Sequence, residues 1–179
     1  MKKIIFVFIS LLIISIEAIP AAVTTYYNNW KIRRISYNNT DNRTVTMTIK
    51  KNNDLEVYIA ARYNQINVSI NWFKDKIDDS TPIVQYSFNN SAYKSAEPFM
   101  RSASDNFDIL YTISPDFGII QEKEIVDFFK NLVNCKTLSI RPDNSSEGYT
   151  IDVTGIKEAI LKTDFSGTLF EKYKSQIVK

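Results

Sequence analysis

The sequence predicts a mainly β fold, a β-rich α+β domain built as a small antiparallel sandwich or partly closed barrel of about seven strands, with one principal packed helix and a short C-terminal helix. Three observations carry that reading. From residue 26 to residue 113 apolar and polar side chains alternate mostly with period two. From 121 to 134 the apolar spacing turns helical, and no glycine occurs before Gly118. The early turns are therefore left to asparagine and aspartate, which enter the left-handed region most readily after glycine.

Residues 1–22 have the three parts of a secretory signal. Lys2 and Lys3 form a positive start, residues 4–16 are apolar apart from Ser10 and Ser15, and small residues follow at Ala18, Ala21 and Ala22. The apolar run of 13 residues is short of the ~20 that span a bilayer as a helix. Cleavage after Ala18 and after Ala22 both fit. The expectation is a single exported domain, residues 23–179, periplasmic or secreted, with no transmembrane anchor once the signal is removed.

Within that domain, residues 44–49 alternate a threonine face (Thr44, Thr46, Thr48) with an apolar face, which predicts a half-buried strand. Asn52, Asn53 and Asp54 supply a turn, and residues 55–63 return as the partner strand. Residues 66–72 place Ile66, Val68, Ile70 and Trp72 on one face of a further strand. A polar turn at 75–82 leads to strands at 83–88 and 107–113, the second stopped by Ser114-Pro115. The helix at 121–134 buries Ile125, Phe128, Phe129, Leu132 and Val133 and starts with Glu122, Glu124 and Asp127, whose charge suits a helix N-terminus. Residues 137–141 and 149–153 pair as a hairpin, Arg141 facing Asp152 or an open edge. Gly155 opens a short helix carrying Ile156, Ala159, Ile160 and Leu161, and 169–178 forms an amphipathic end with Lys172, Lys174 and Lys179 in water.

Composition narrows the function. The chain of 179 residues has no histidine and one cysteine. That removes the usual general base, Ser-His-Asp and Cys-His arrangements, common zinc sets and any internal disulfide. The reading is of no enzyme, with no catalytic residue, cofactor or metal site assigned. Asp75, Asp78 and Asp79 share a turn but lack the ordered spacing, glycine and closing glutamate of a calcium loop. Asp105, Asp108 and Asp116 flank one strand. Cys135 follows the apolar helix positions and reads as a buried, inert thiol. Sequons start at Asn38, Asn42, Asn67, Asn89 and Asn144, yet lysine, asparagine and isoleucine are used so heavily that chance supplies several, as in an AT-rich bacterium.

The net charge of +2 conceals an uneven distribution: residues 23–74 carry +5 and residues 75–130 carry −5. Within the first stretch Trp30, Lys31, Arg33, Arg34 and Tyr37 mix cations with aromatics, as nucleic-acid or anionic-glycan surfaces do, and they are the candidate binding residues. An edge strand protected by charge explains the same pattern. The expected partner is a protein in the envelope or on a host surface, and not nucleic acid.

The C-terminal half carries a resemblance. Phe128-Phe129-Lys130-Asn131-Leu132, then Lys136 to Arg141 with its Leu138-Ser139-Ile140-Arg141, then Tyr149-Thr150-Ile151-Asp152-Val153-Thr154-Gly155-Ile156 and Ala159 follow in order. This resembles the end of exported bacterial proteins similar to invasion-associated locus B and the type VI secretion accessory VasI. Residues 82–89 resemble an upstream strand of that group, with Ser87 and Asn89 where its arginine and aspartate are expected, and the paired cysteines of many relatives are missing. The resemblance implies a non-enzymatic exported accessory protein linked to host-cell interaction or secretion. Two other readings compete: a carrier with an apolar ligand inside a barrel, and a glycan hydrolase using two carboxylates. A continuous apolar cavity favours the first, a carboxylate-lined cleft the second, and a filled core with an exposed aromatic patch the binding protein.

Overall fold

The computed structural model describes residues 21–37, 43–75, 77, 80, 82–142 and 147–179. Residues 1–20 of the predicted signal lie outside the described residues, as do Asp78, Asp79 and the sequon asparagines 38, 42 and 144.

Alternation produces the large sheet. β1 (Ala21–Tyr27), β2 (Trp30–Ser36), β3 (Arg43–Lys51), β4 (Leu55–Ala61) and β5 (Ile66–Trp72) run as an antiparallel meander. In β5 every second residue is buried, from Ile66 to Trp72, and in β3 Val45, Met47 and Ile49 point the same way. Each such side chain contributes about 1.5–3 kcal/mol by leaving water, so the pattern fixes which face turns inward. Turns follow the asparagine expectation. Among the described residues the non-glycine positive φ angles belong to Asn28, Asn52, Asn89, Asn90 and Asn106.

β6 (Val84–Phe88), β7 (Lys94–Ala96), β8 (Met100–Ser102), β9 (Phe107–Ser114) and β10 (Ile119–Ile120) follow. β9 joins the large sheet beside β5, past a register shift at Val68/Ser69, and carries β10 and β8. β11 (Thr137–Arg141) and β12 (Tyr149–Asp152) form the predicted hairpin and pair onto β6, giving a second antiparallel sheet in the order β12-β11-β6-β7. All five residues of β6 are buried because both of its faces are covered.

α1 (Glu122–Val133) buries the five predicted apolar residues and Val126. Its Phe128 ring meets Tyr86 and Phe88 of β6 and Tyr111 of β9, all edge-on at 5.6–5.9 Å. That cluster locks the small sheet, the helix and the large sheet into one core. α2 (Ile156–Lys162) and α3 (Glu171–Ile177) close the remaining apolar side, where Phe170 lies 5.0 Å from Phe129 and 4.5 Å from Phe165.

The β-rich fold stands, with differences in detail. The described residues hold twelve strands in two sheets, since β7, β8 and β10 have only two or three residues and show no readable period. β2 is not an edge: β1 flanks it, pairing from Ala21↔Ser36 to Tyr27↔Trp30. Arg141 does not meet Asp152. Its Nε donates to Gln85 Oε1 at 2.6 Å and its guanidinium lies over Tyr93, while Asp152 accepts from Thr154. Leu161 is 54 % exposed, on the outer side of a helix whose inner side holds Ile156, Ala159 and Ile160. The two described sequon asparagines have partners: Asn67 accepts from Thr112 Oγ1, and Asn89 accepts from the Lys136 amide.

Candidate binding face

The side of the large sheet opposite the core is polar. Its outward positions follow from the same alternation: Lys31, Arg33 and Ile35 on β2, Thr44, Thr46, Thr48 and Lys50 on β3, and Glu56 and Tyr58 on β4, with Arg62 just beyond. Register brings them into rows across the strands. Lys31 stands opposite Thr48, which stands opposite Tyr58; Arg33 stands opposite Thr46; Lys50 stands opposite Glu56. Together with Tyr37 they line an open concavity of about 580 Å³, within the range of small-ligand sites.

Four cations and one carboxylate line it. Glu56 is engaged twice, by Lys50 Nζ at 3.1 Å and Asn71 Nδ2 at 2.8 Å. Arg62 donates to Gln65 Oε1 at 3.0 Å and keeps its charge uncompensated by that neutral partner. Among the described residues Lys31 and Arg33 form no ion pair. Burial pushes the Tyr58 hydroxyl above its usual range, with Glu56 adding to the rise and Arg62 and Arg33 opposing it, so the hydroxyl stays neutral. The result is an electropositive depression with a threonine floor.

The predicted patch is split by the pleat. Lys31, Arg33 and Tyr37 lie on the concave face, whereas Trp30 and Arg34 leave it. Trp30 is fully buried, its Nε1 donating to Val153 O at 3.1 Å, so it anchors the core and offers no contact surface. Arg34 pairs with Asp164 at 2.9 Å on the opposite side. The period-two rule applied to residues 30–37 separates these two sets. Thr46, Lys50, Tyr58 and Arg62 lie outside the predicted set: the hairpin legible around Asn52–Asp54 puts β3 beside β4, and only the pairing of β2 with β3 sets that hairpin beside Lys31 and Arg33.

Among the described residues the carboxylates in or flanking β9 each have a separate partner. Asp108 is buried against Arg101 and Trp72, Asp105 accepts from Ser102 Oγ, and Asp116 accepts from Asn64. Glu122 accepts from the Tyr173 hydroxyl at 3.2 Å. Among the described residues no group of three His, Cys, Asp or Glu is placed to hold a metal, and no helix is long and apolar enough to cross a membrane. Cys135 is a buried free thiol whose Sγ contacts Leu132 O at 3.3 Å, and burial raises its pKa to about 11.

Comparison with known proteins adds no relative: no protein-family model, curated protein or solved structure matches this chain.

Proposed function

We propose that the chain is a non-enzymatic, exported binding protein whose contact surface is the concave β2–β4 face, and whose partner in the envelope or on a host surface presents negative charge. The observation that carries this reading is the charge balance of the depression, four cations to one already engaged carboxylate. A groove of one sign concentrates and orients an oppositely charged partner. The signal-like residues 1–22 and the resemblance of the C-terminal half to exported accessory proteins support the export part of the reading. Against a carrier, the concavity is open and polar; against a hydrolase, its single carboxylate is held by Lys50 and Asn71.

The test is capture of a partner from envelope and host-cell fractions by the secreted protein. An Arg33→Ala/Arg62→Ala double variant is expected to lose the partner, and Arg34→Ala, on the other face, to retain it. Capture indifferent to the double variant overturns the assignment of this face.

A further inference from the structure

Within the proposed binding reading, on which this inference rests, the geometry points to an anionic polysaccharide as the occupant of the concave face, its sulfate or carboxylate groups on Arg33 and Arg62 and its hydroxyls on the threonine floor. Acidic protein segments and acidic glycans both carry dense negative charge outside a cell, and the face discriminates between them.

An extended peptide binds a sheet by adding a strand at an edge or by seating apolar anchors in pockets. Neither is on offer here. β3, at the centre of the depression, has both edges consumed by β2 and β4, so its backbone has no ladder positions left. The lining consists of threonines, cations, one glutamate, Ile35 and the two tyrosines, without a deep apolar hole.

A sugar polymer fits those same features. Alternate residues of a strand are about 6.8 Å apart and neighbouring strands about 4.8 Å apart. Thr44, Thr46 and Thr48 therefore make a regular row of hydroxyls along β3, flanked by Lys31 and Arg33 at the same repeat on β2. A repeating chain lying along β3 meets donors and acceptors for its hydroxyls beneath and cations at its side. Guanidinium groups are suited to two-pronged bonds with sulfate or carboxylate oxygens. Tyr58 and the 46 % exposed Tyr37 offer rings with a polar tip, which suit the apolar face and hydroxyl rim of a sugar ring.

Isothermal titration of the chain as secreted from an expression host, with four six-unit probes, decides the matter. The probes are a sulfated heparin-type hexasaccharide, hexagalacturonate, neutral maltohexaose and hexaglutamate. At least one anionic sugar is expected to bind, at least about tenfold more tightly than either maltohexaose or hexaglutamate. Preference for the first or the second identifies sulfate or carboxylate as the recognised group. Arg33→Gln and Arg62→Gln should each weaken it about tenfold, the worth of one charge-assisted contact. Thr46→Val, which keeps the shape and removes the hydroxyl, should weaken the sugar, and Arg34→Gln should leave binding unchanged. Circular dichroism of each variant confirms the fold. Hexaglutamate binding as tightly as the anionic sugars, or anionic sugar binding that ignores Arg33 and Arg62, overturns the proposal. If neither anionic sugar binds while the captured partner still depends on Arg33 and Arg62, the glycan inference falls and the binding face stands. If capture too ignores those residues, both fall.

Discussion

Arg101 and Asp108 form a two-pronged ion pair in the interior, Nε to Oδ1 at 2.7 Å and Nη2 to Oδ2 at 2.9 Å, with side chains 5 % and 0 % exposed. The pair is fully engaged. Trp72 Nε1 donates to Asp108 Oδ2 at 2.8 Å, and Arg101 Nη2 reaches the carbonyls of Ile83 and Pro142, which adjoin the second sheet. One guanidinium thus ties the ends of both sheets.

Removing one partner strands the other. Arg101→Met is expected to destabilise the fold by about 3–5 kcal/mol because the buried Asp108 loses its counter-charge and, among the described residues, is left with the Trp72 side-chain bond. The Arg101→Met/Asp108→Leu double variant should recover a substantial part of that loss. Urea unfolding of the two variants measures the difference; equal loss in both would show that the pair acts only through packing.

Gly155 is the second sensitive position. Its φ is +92°, and a Cβ there would lie 2.9 Å from both Tyr27 O and Asn28 Nδ2. Gly155→Ala combines left-handed strain with a clash against the β1–β2 turn. It should cost more than Gly118→Ala, where φ is +70° but nothing lies within 4 Å and strain alone costs about 1–2 kcal/mol. Thermal unfolding of the two variants ranks them.

Stability should be flat between pH 5 and 8 and fall in acid below that window. The chain has no histidine. The carboxyls of Asp164, bonded by the hydroxyl and amide of Ser166, and Asp152, bonded by the amide and hydroxyl of Thr154, titrate below the ordinary 3.8. Their folded-state values lie under the unfolded ones, so the stabilisation is complete above about pH 4 and disappears as pH falls through the folded values. Asp164 is 48 % exposed and its ion pairs with Arg34 and Arg43 are screened, so its share is below about 1 kcal/mol. Asp164→Asn should flatten part of the acid limb in a series of unfolding curves from pH 2 to 7. A cooperative transition near pH 6 would contradict this assignment.

Cys135 should resist modification. With its thiol raised to about 11, only about one molecule in a thousand is thiolate at pH 8, and the sulfur is covered as well. Iodoacetamide labelling followed by mass spectrometry should proceed at least about a hundredfold faster in denaturant than in buffer. Rapid labelling of the native protein would place the thiol at the surface.

Replacing Trp30 tests its place in the core. Trp30→Ala should cost about 3–5 kcal/mol through the cavity it leaves. Trp30→Phe should cost less, losing mainly the bond to Val153 O. A Trp30→Ala variant of unchanged stability in urea would return the ring to the surface.

Local chemistry determined much by itself. The alternations in 44–49 and 66–72 dictated which side chains turn inward, the helical spacing of Ile125 to Val133 dictated α1, and the lack of early glycine put Asn28, Asn52, Asn89, Asn90 and Asn106 in the turns. These features depend on residues a few positions apart, where steric preference and burial act through the chain itself. Tertiary structure decided the rest. That Arg33 and Arg62 share a depression, that Trp30 reaches Val153, that Arg141 turns to Gln85 and Tyr93, and that Arg101 holds Asp108 all depend on strand order and on how the two sheets close together. Such contacts join residues from 7 to 123 positions apart. Their energies are collected only once the core between them has formed, and no local pattern records them.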